Sequence, residues 1–280
     1  MSFERALDRL EQILGRAEAL LPPVAPEPDW QADAFRWRRE NGRGYLQAVR
    51  HPHEIALDAL HNIDEQKKAI LRNTQRFVEG KPANNVLLTG ARGTGKSTLI
   101  KACWNHFRDQ GLKLIEVDKT DLLSLIDILE LIEERDERFI LFCDDLSFEE
   151  GESGYKALKS ALDGSIAAPS ANVLFYATSN RRHLLPEKMR ENLDVLYEDG
   201  EVRPNDSIEE KVSLSERFGL WLSFYPFSQD DYLAAARYWV EALGGQWNDD
   251  TRARALLWHR TRGARSGRVA WQFARDDVEA

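Results

Sequence analysis

The chain has 280 residues, 42% of them hydrophobic and 30% charged, with a formal net charge of −9. That is the composition of a soluble globular protein with room for one large core and a smaller appendage. No apolar run approaches the roughly 18 residues of a membrane span, and the acidic balance argues against a surface that clings to nucleic acid throughout.

Local basic patches remain compatible with that balance. Arg36, Arg38, Arg39, Arg43 and Arg50 form one cluster, and Arg252, Arg254, Arg260, Arg262, Arg265 and Arg268 a second. A solvated helix face accounts for either more readily than a nucleic-acid footprint. The first residues mix charges of both signs and lack the apolar core of a signal peptide. Cys103 and Cys143 fall at apolar positions of a predicted helix and strand. They read as buried free thiols rather than a disulfide, so a cytoplasmic location is expected.

In chain order, Phe3, Leu7, Leu10, Leu14 and Ala17 recur at helical spacing over residues 2–21, with Ser2 as cap. Pro22, Pro23, Pro26 and Pro28 end that helix and stiffen a linker. Residues 29–50 are basic and aromatic and carry no assigned element, so 1–50 is expected to be a helical extension plus linker. A helix is predicted from about Glu54 to Phe77, closed by Gly80-Lys81-Pro82. Asn85-Val86-Leu87-Leu88-Thr89 reads as a strand and Thr98 to Trp104 as a helix.

Between them lies Gly90-Ala91-Arg92-Gly93-Thr94-Gly95-Lys96-Ser97, which matches G-x-x-x-x-G-K-[ST]. Its glycines let the backbone curl so that successive N–H groups and the helix N-terminus face phosphate oxygens. Lys96 is placed to reach β- and γ-phosphates and the Ser97 hydroxyl to join Mg²⁺. The strand and helix flanks are the context the loop requires, so the chain is expected to bind a nucleoside triphosphate through Gly90 to Thr98.

Strands follow at Leu112 to Val117, Phe139 to Cys143, Val173 to Ala177 and Leu220 to Phe224, with helices at Leu122 to Glu134 and Tyr155 to Leu162. Continuous apolar strands separated by helices predict a parallel sheet covered on both faces. From Pro226 the pattern is helical, with Ser228, Asn248 and Ser266 as caps. The expected division is an α/β nucleotide-binding domain over 51–225 and a helical lid over 226–280. Trp239, Trp247, Trp258 and Trp271 are read as the core of that lid.

Asp144-Asp145 closes an apolar strand. The first acid is placed to hold Mg²⁺ and the second to polarise an attacking water. Glu149 and Glu150 compete for the second role. Asp118-Lys119-Thr120-Asp121 mimics a guanine-reading box, but its first residue and its position are wrong for a GTPase. His51-Pro52-His53 lacks the further ligands of a metal site.

The strand end Ala177-Thr178-Ser179-Asn180-Arg181 resembles that of the AAA+ superfamily, whose asparagine is its "sensor 1". The resemblance covers roughly residues 55–280. It implies a sheet of order 5-1-4-3-2, a helical lid, and Asn180 beside the γ-phosphate. Ser213-Leu214-Ser215-Glu216-Arg217-Phe218 is similar to the segment that presents an arginine finger to a neighbouring subunit, which nominates Arg217. Gly263-Ala264-Arg265-Ser266-Gly267-Arg268 is similar to the start of the "sensor 2" helix, which nominates Arg268, with Arg265 behind it. Leu60-His61-Asn62-Ile63-Asp64 resembles the adenine loop and places Ile63 on the nucleotide, with Asn where Gly is usual.

The resemblance therefore implies an ATPase using ATP and Mg²⁺, with Asp145, Asn180 and Arg217 as catalytic residues. It would act as an ATP-dependent homo-oligomer, a ring or spiral, doing conformational work on a macromolecular client. The acidic charge favours a protein client over nucleic acid, and no membrane is expected. A slow or non-hydrolysing switch is the alternative. A P-loop kinase fits less well, because such kinases usually insert a short Arg-bearing lid between strands and this chain instead has three helices after the sheet.

Overall fold

The computed structural model describes residues 26–148, 152–163, 171–181, 197–198, 201–202 and 214–279, together with Arg9 and Leu184. The helix expected over 2–21 lies outside these residues except for Arg9. The chain opens with an antiparallel hairpin, β1 (Ala34–Glu40) and β2 (Arg43–Ala48). The alternation follows: α1 (Asp64–Val78), β3 (Val86–Gly90), α2 (Lys96–Phe107), β4 (Leu112–Glu116), α3 (Leu125–Ile132), β5 (Arg138–Cys143), α4 (Ser153–Asp163) and β6 (Val173–Ser179). A short pair, β7 (Tyr197–Glu198) and β8 (Glu201–Val202), precedes β9 (Leu220–Phe224). Three helices close the chain: α5 (Gln229–Ala242), α6 (Asp249–Arg262) and α7 (Gly267–Glu279).

Seven strands make one sheet in the order β2-β1-β4-β5-β6-β3-β9. All neighbours are parallel except β1 and β2. Counting from the phosphate-loop strand as the first, the five strands from β9 inward run 5-1-4-3-2, the expected order. The interior strands bury both faces because successive side chains alternate between them. Leu87, Leu141 and Phe175 pack with Ile128 of α3 and Leu158 of α4. Leu88, Phe142 and Tyr176 pack on the other side with Ile70 of α1 and Ile100 of α2. Cys103 and Cys143 are buried and free, as expected.

Residues 34–48, expected outside the sheet, belong to it. β1 pairs in parallel with β4 and extends the sheet beyond the α/β alternation. The hairpin turns on Asn41 and Gly42, with φ of 50° and 80°. Two successive positive φ values suit the right-handed twist of paired strands, and Asn-Gly is the dipeptide that adopts them most easily. Phe35, Trp37 and Leu46 then enter the core at 2% exposure or less, each contributing about 1.5–3 kcal/mol of burial. The boundary expected at residue 50 therefore cuts through a continuous packed unit.

The helix expected from Glu54 begins later, at Asp64. Leu57–Ala59 form only a 3₁₀ turn, and Asn62 takes a left-handed φ of 62° that no α-helix continues through. The helix expected from Leu122 likewise starts as a 3₁₀ turn, Lys119–Ser124, before α3. The last three helices are capped as the sequence implies. Ser228 and Asp231 form a reciprocal capping box on α5. The Asn248 side chain accepts from Thr251 N on α6, and Ser266 Oγ accepts from Val269 N on α7. These helices enclose their own apolar cluster around Tyr232, Ala236, Val240 and Phe273. Among the described residues no helix is long and apolar enough to cross a membrane.

Candidate functional site

β3 delivers the chain into the loop at Gly90, and Gly95, at φ 98°, opens α2 with no side chain capping its first turn. The first N–H groups of a helix have no partner within it, so those of α2 are left facing the loop. Lys96 folds back over it. Its Nζ donates to Gly90 O and Ala91 O, both at 2.8 Å, and to Asn180 Oδ1 at 2.9 Å. Burial pulls the Lys96 pKa below the usual lysine value, opposed by Asp144 and Asp145 and reinforced by Arg92 and Arg268.

The parallel register sets the tip of β5 beside that of β6 and brings both acids to the loop. Ser97 Oγ and Thr178 Oγ1 each donate to Asp144 Oδ1 at 2.5 Å. Asn180 Nδ2 donates to Asp145 Oδ1, also at 2.5 Å. Asn180 thus bridges the loop lysine and the second acid. Asp145 holds a φ of 52°, a left-handed conformation that Asp tolerates better than most residues. Glu149 and Glu150, its competitors, lie outside the described residues.

A cavity of about 820 Å³ opens above these groups. Arg92, Gly93, Thr94, Gly95, Lys96, Ser97 and Thr98 form its floor with Asp144, Asp145 and Asn180. Ile55, Ala56, Ala59 and Leu60 add apolar lining, as do Trp239 and Trp271 from α5 and α7. The two indoles meet edge-on, with centroids 4.6 Å apart. Trp239 packs against the lid core as expected from the sequence and also lines the cavity, whereas Trp271, expected in that core, lines the cavity without joining the cluster. Their position is partly readable, since Trp271 lies three residues after Arg268 and so shares its helix face.

Arg268 lines the cavity, and its backbone N–H donates to Gly93 O at 3.3 Å. A Cβ on Gly93 would sit 2.8 Å from Ser266 Oγ, so only glycine lets α7 approach the loop this closely. Two further contacts join the last three helices to the segment before α1. Asn62 Nδ2 donates to Asp231 O at 3.1 Å, and His61 packs on Tyr238 with ring centroids 4.2 Å apart. The Ala91 N–H donates to Phe224 O at 3.2 Å, tying the loop to the end of β9.

Three nominated residues stand elsewhere. Ile63 is 4% exposed and packs into the core near Gly95, leaving the cavity wall to Leu60 and His61. Arg265 is exposed and outside the cavity lining. Arg217 also lies outside that lining; its guanidinium engages both oxygens of Asp163, with Nη2 to Oδ2 at 2.7 Å. That contact holds the Asp163 carboxyl below its usual pKa.

The family described as "Protein of unknown function (DUF815)" matches residues 30–279. The chain belongs to this family. No curated protein matches it. Solved structures similar to this DUF815 chain include the RuvB Holliday junction branch migration motor of Thermotoga maritima, at 18% identity and a TM-score of 0.52. That match covers 79% of this chain and 63% of RuvB. One single-substitution form of the same protein matches at 17% identity and a TM-score of 0.51, with the same coverage. Another matches at 17% and 0.52, over 76% of this chain and 60% of RuvB. The DUF815 chain thus spans less than two thirds of these structures. At such identities the likeness concerns the fold, which is that of an AAA+ P-loop protein.

The donor set suits a nucleotide and its metal. Arg92, Lys96 and Arg268 supply positive charge around a helix N-terminus. The Ser97 hydroxyl and the Asp144 carboxylate converge as hard oxygen donors. Among the described residues no cluster of three or more His, Cys, Asp or Glu could cage a metal. Mg²⁺ needs none, because it is held by one or two carboxylates together with substrate phosphates and waters.

Proposed function

We propose that this chain binds ATP with Mg²⁺ and hydrolyses it, coupling the cycle to work on a macromolecular partner. One observation carries the reading: Lys96, the Ser97–Asp144 pair and the Asn180–Asp145 pair converge on one helix N-terminus beneath Arg268. Lys96 would exchange its carbonyl partners for β- and γ-phosphate oxygens. Ser97 and Asp144 would hold Mg²⁺, which when bound neutralises charge developing on the transferring phosphoryl group. Asp145 accepts the proton of the attacking water, and Asn180 orients that water or the γ-phosphate. The base would take the part of the cavity lined by Leu60, Trp239 and Trp271.

Arg217 is proposed to serve the site of a neighbouring chain in a homo-oligomer. To do so it would exchange the two oxygens of Asp163 for those of a phosphate, a like-for-like bidentate swap. The client is proposed to be a protein, on the strength of the −9 charge. An ATPase assay with single-stranded DNA, duplex DNA, RNA and cell extract as separate stimulants tests the reading. Stimulation by extract alone supports a protein client, and stimulation by DNA moves the assignment toward the action named for RuvB. The switch reading gains from the Arg217–Asp163 pair, which keeps the arginine within its own chain; tight ATP binding with no phosphate release would establish it.

A further inference from the structure

Thr178 stands one residue before the end of β6 at 2% exposure, beneath both acids. Its hydroxyl makes two hydrogen bonds of opposite sense. It donates to Asp144 Oδ1 at 2.5 Å and accepts from Asp145 N at 2.9 Å. Its backbone carbonyl accepts from Leu146 N at 2.7 Å. One residue of β6 therefore holds three consecutive residues of the neighbouring strand end. The hydroxyl has a single proton, and Asp144 takes it, so the lone pair facing Asp145 N is fixed as an acceptor.

We propose that Thr178 is the positioning residue that sets the two acids for their separate tasks, a role that rests on the ATP-hydrolysing reading above. Asp144 Oδ1 is drawn at once toward Thr178 below and Ser97 above, which holds the carboxylate next to the hydroxyl that shares its metal. The accepting bond pins the Asp145 backbone at its left-handed φ of 52°. That turn aims the Asp145 side chain at Asn180 rather than at Asp144. Without the hydroxyl, Asp144 can swing off Ser97, and the Asp145 N–H keeps only its longer bond to Asp144 Oδ1 at 3.2 Å. Partners of this kind, one step behind a metal ligand, characteristically alter metal affinity or activity by about 10–100-fold when removed.

The test uses the full chain with Thr178→Val, Thr178→Ala and Thr178→Ser. Calorimetry measures ATP affinity in EDTA and across a Mg²⁺ titration, phosphate release gives kcat and KM, and thermal unfolding reports stability. The valine and alanine variants should keep wild-type affinity in EDTA, lose most of the gain from Mg²⁺ with KM raised to match, and fall roughly 10–100-fold in kcat. Thr178→Ser, which restores only the hydroxyl, should recover both. Alanine and serine differ by that one group, so their comparison stands even where the valine variant does not fold. If the two behave alike in Mg²⁺ dependence and kcat while the wild type is active, the proposed role is overturned. A wild-type chain with neither a Mg²⁺-dependent gain nor turnover overturns the underlying ATPase reading instead.

Discussion

Two residues of the cavity floor separate binding from chemistry. In the proposed mechanism Lys96 would contribute charge to the phosphates, whereas Asp145 would act on the attacking water. Lys96→Ala should therefore abolish ATP binding in calorimetry while leaving the circular dichroism spectrum and unfolding midpoint near wild type. Asp145→Asn should bind normally and lose about 10²–10⁴ in kcat, the usual contribution of a general base. Normal turnover in that variant would shift the role to Glu149 or Glu150. The thiols behave oppositely to reactive groups. Burial pushes Cys103 up to about 12, with Thr74 opposing weakly, and pushes Cys143 in the same direction. A native chain should leave Ellman's reagent unreacted at pH 8 and release both thiols only on unfolding. The native state keeps its thiol protons where the unfolded chain loses them, so these groups stabilise it below the ordinary thiol range. That contribution should decline as pH rises through about 8.5 and beyond, visible as a falling urea midpoint.

At the scale of elements, the tryptophans that α5 and α7 bring to the cavity make a separable prediction. Trp271→Ala should weaken ATP and ADP by roughly 1–3 kcal/mol, the range for a base stacked on an aromatic ring, and leave inorganic tripolyphosphate unaffected. Equal loss for all three ligands would mean that the indole supports the loop rather than the base. This lining is hard to see in the sequence, because a tryptophan in a small helical unit is as easily core as cavity. The phosphate loop and both acids are legible because their chemistry is local: each needs only a strand, a turn and a helix start. Asn180 is legible through its strand-end motif. The hairpin of β1 and β2 escapes a sequence reading, although Asn41-Gly42 marks its turn. Arginines crowd its exposed positions and mask the alternation of Phe35, Trp37 and Leu46. Asn62 takes the left-handed turn its motif implies, yet Ile63 packs toward Gly95 and stays out of the cavity lining.

For the whole molecule, the proposed assembly brings together Lys96 of one chain and Arg217 of another. Arg217→Ala should bind ATP normally and hydrolyse it poorly, with a loss of about 10³–10⁵ for a missing arginine finger. Mixed with Lys96→Ala, which cannot bind but still carries its arginine, it should regain partial activity at mixed interfaces. Sedimentation should show larger species with ATP than without. A chain that stays monomeric in ATP, with no complementation in the mixture, would favour the switch.

The lid helices hang from β9, and β9 is the direct neighbour of the phosphate-loop strand. Paired strands lie about 4.8 Å apart, while α5, at 14 residues, reaches about 21 Å from its root. A rigid α5 pivoting at this root would carry a small movement beside the loop outward along its length. A tilt that displaces Phe224 by a fraction of an ångström against Ala91 would be felt at the far end of α5.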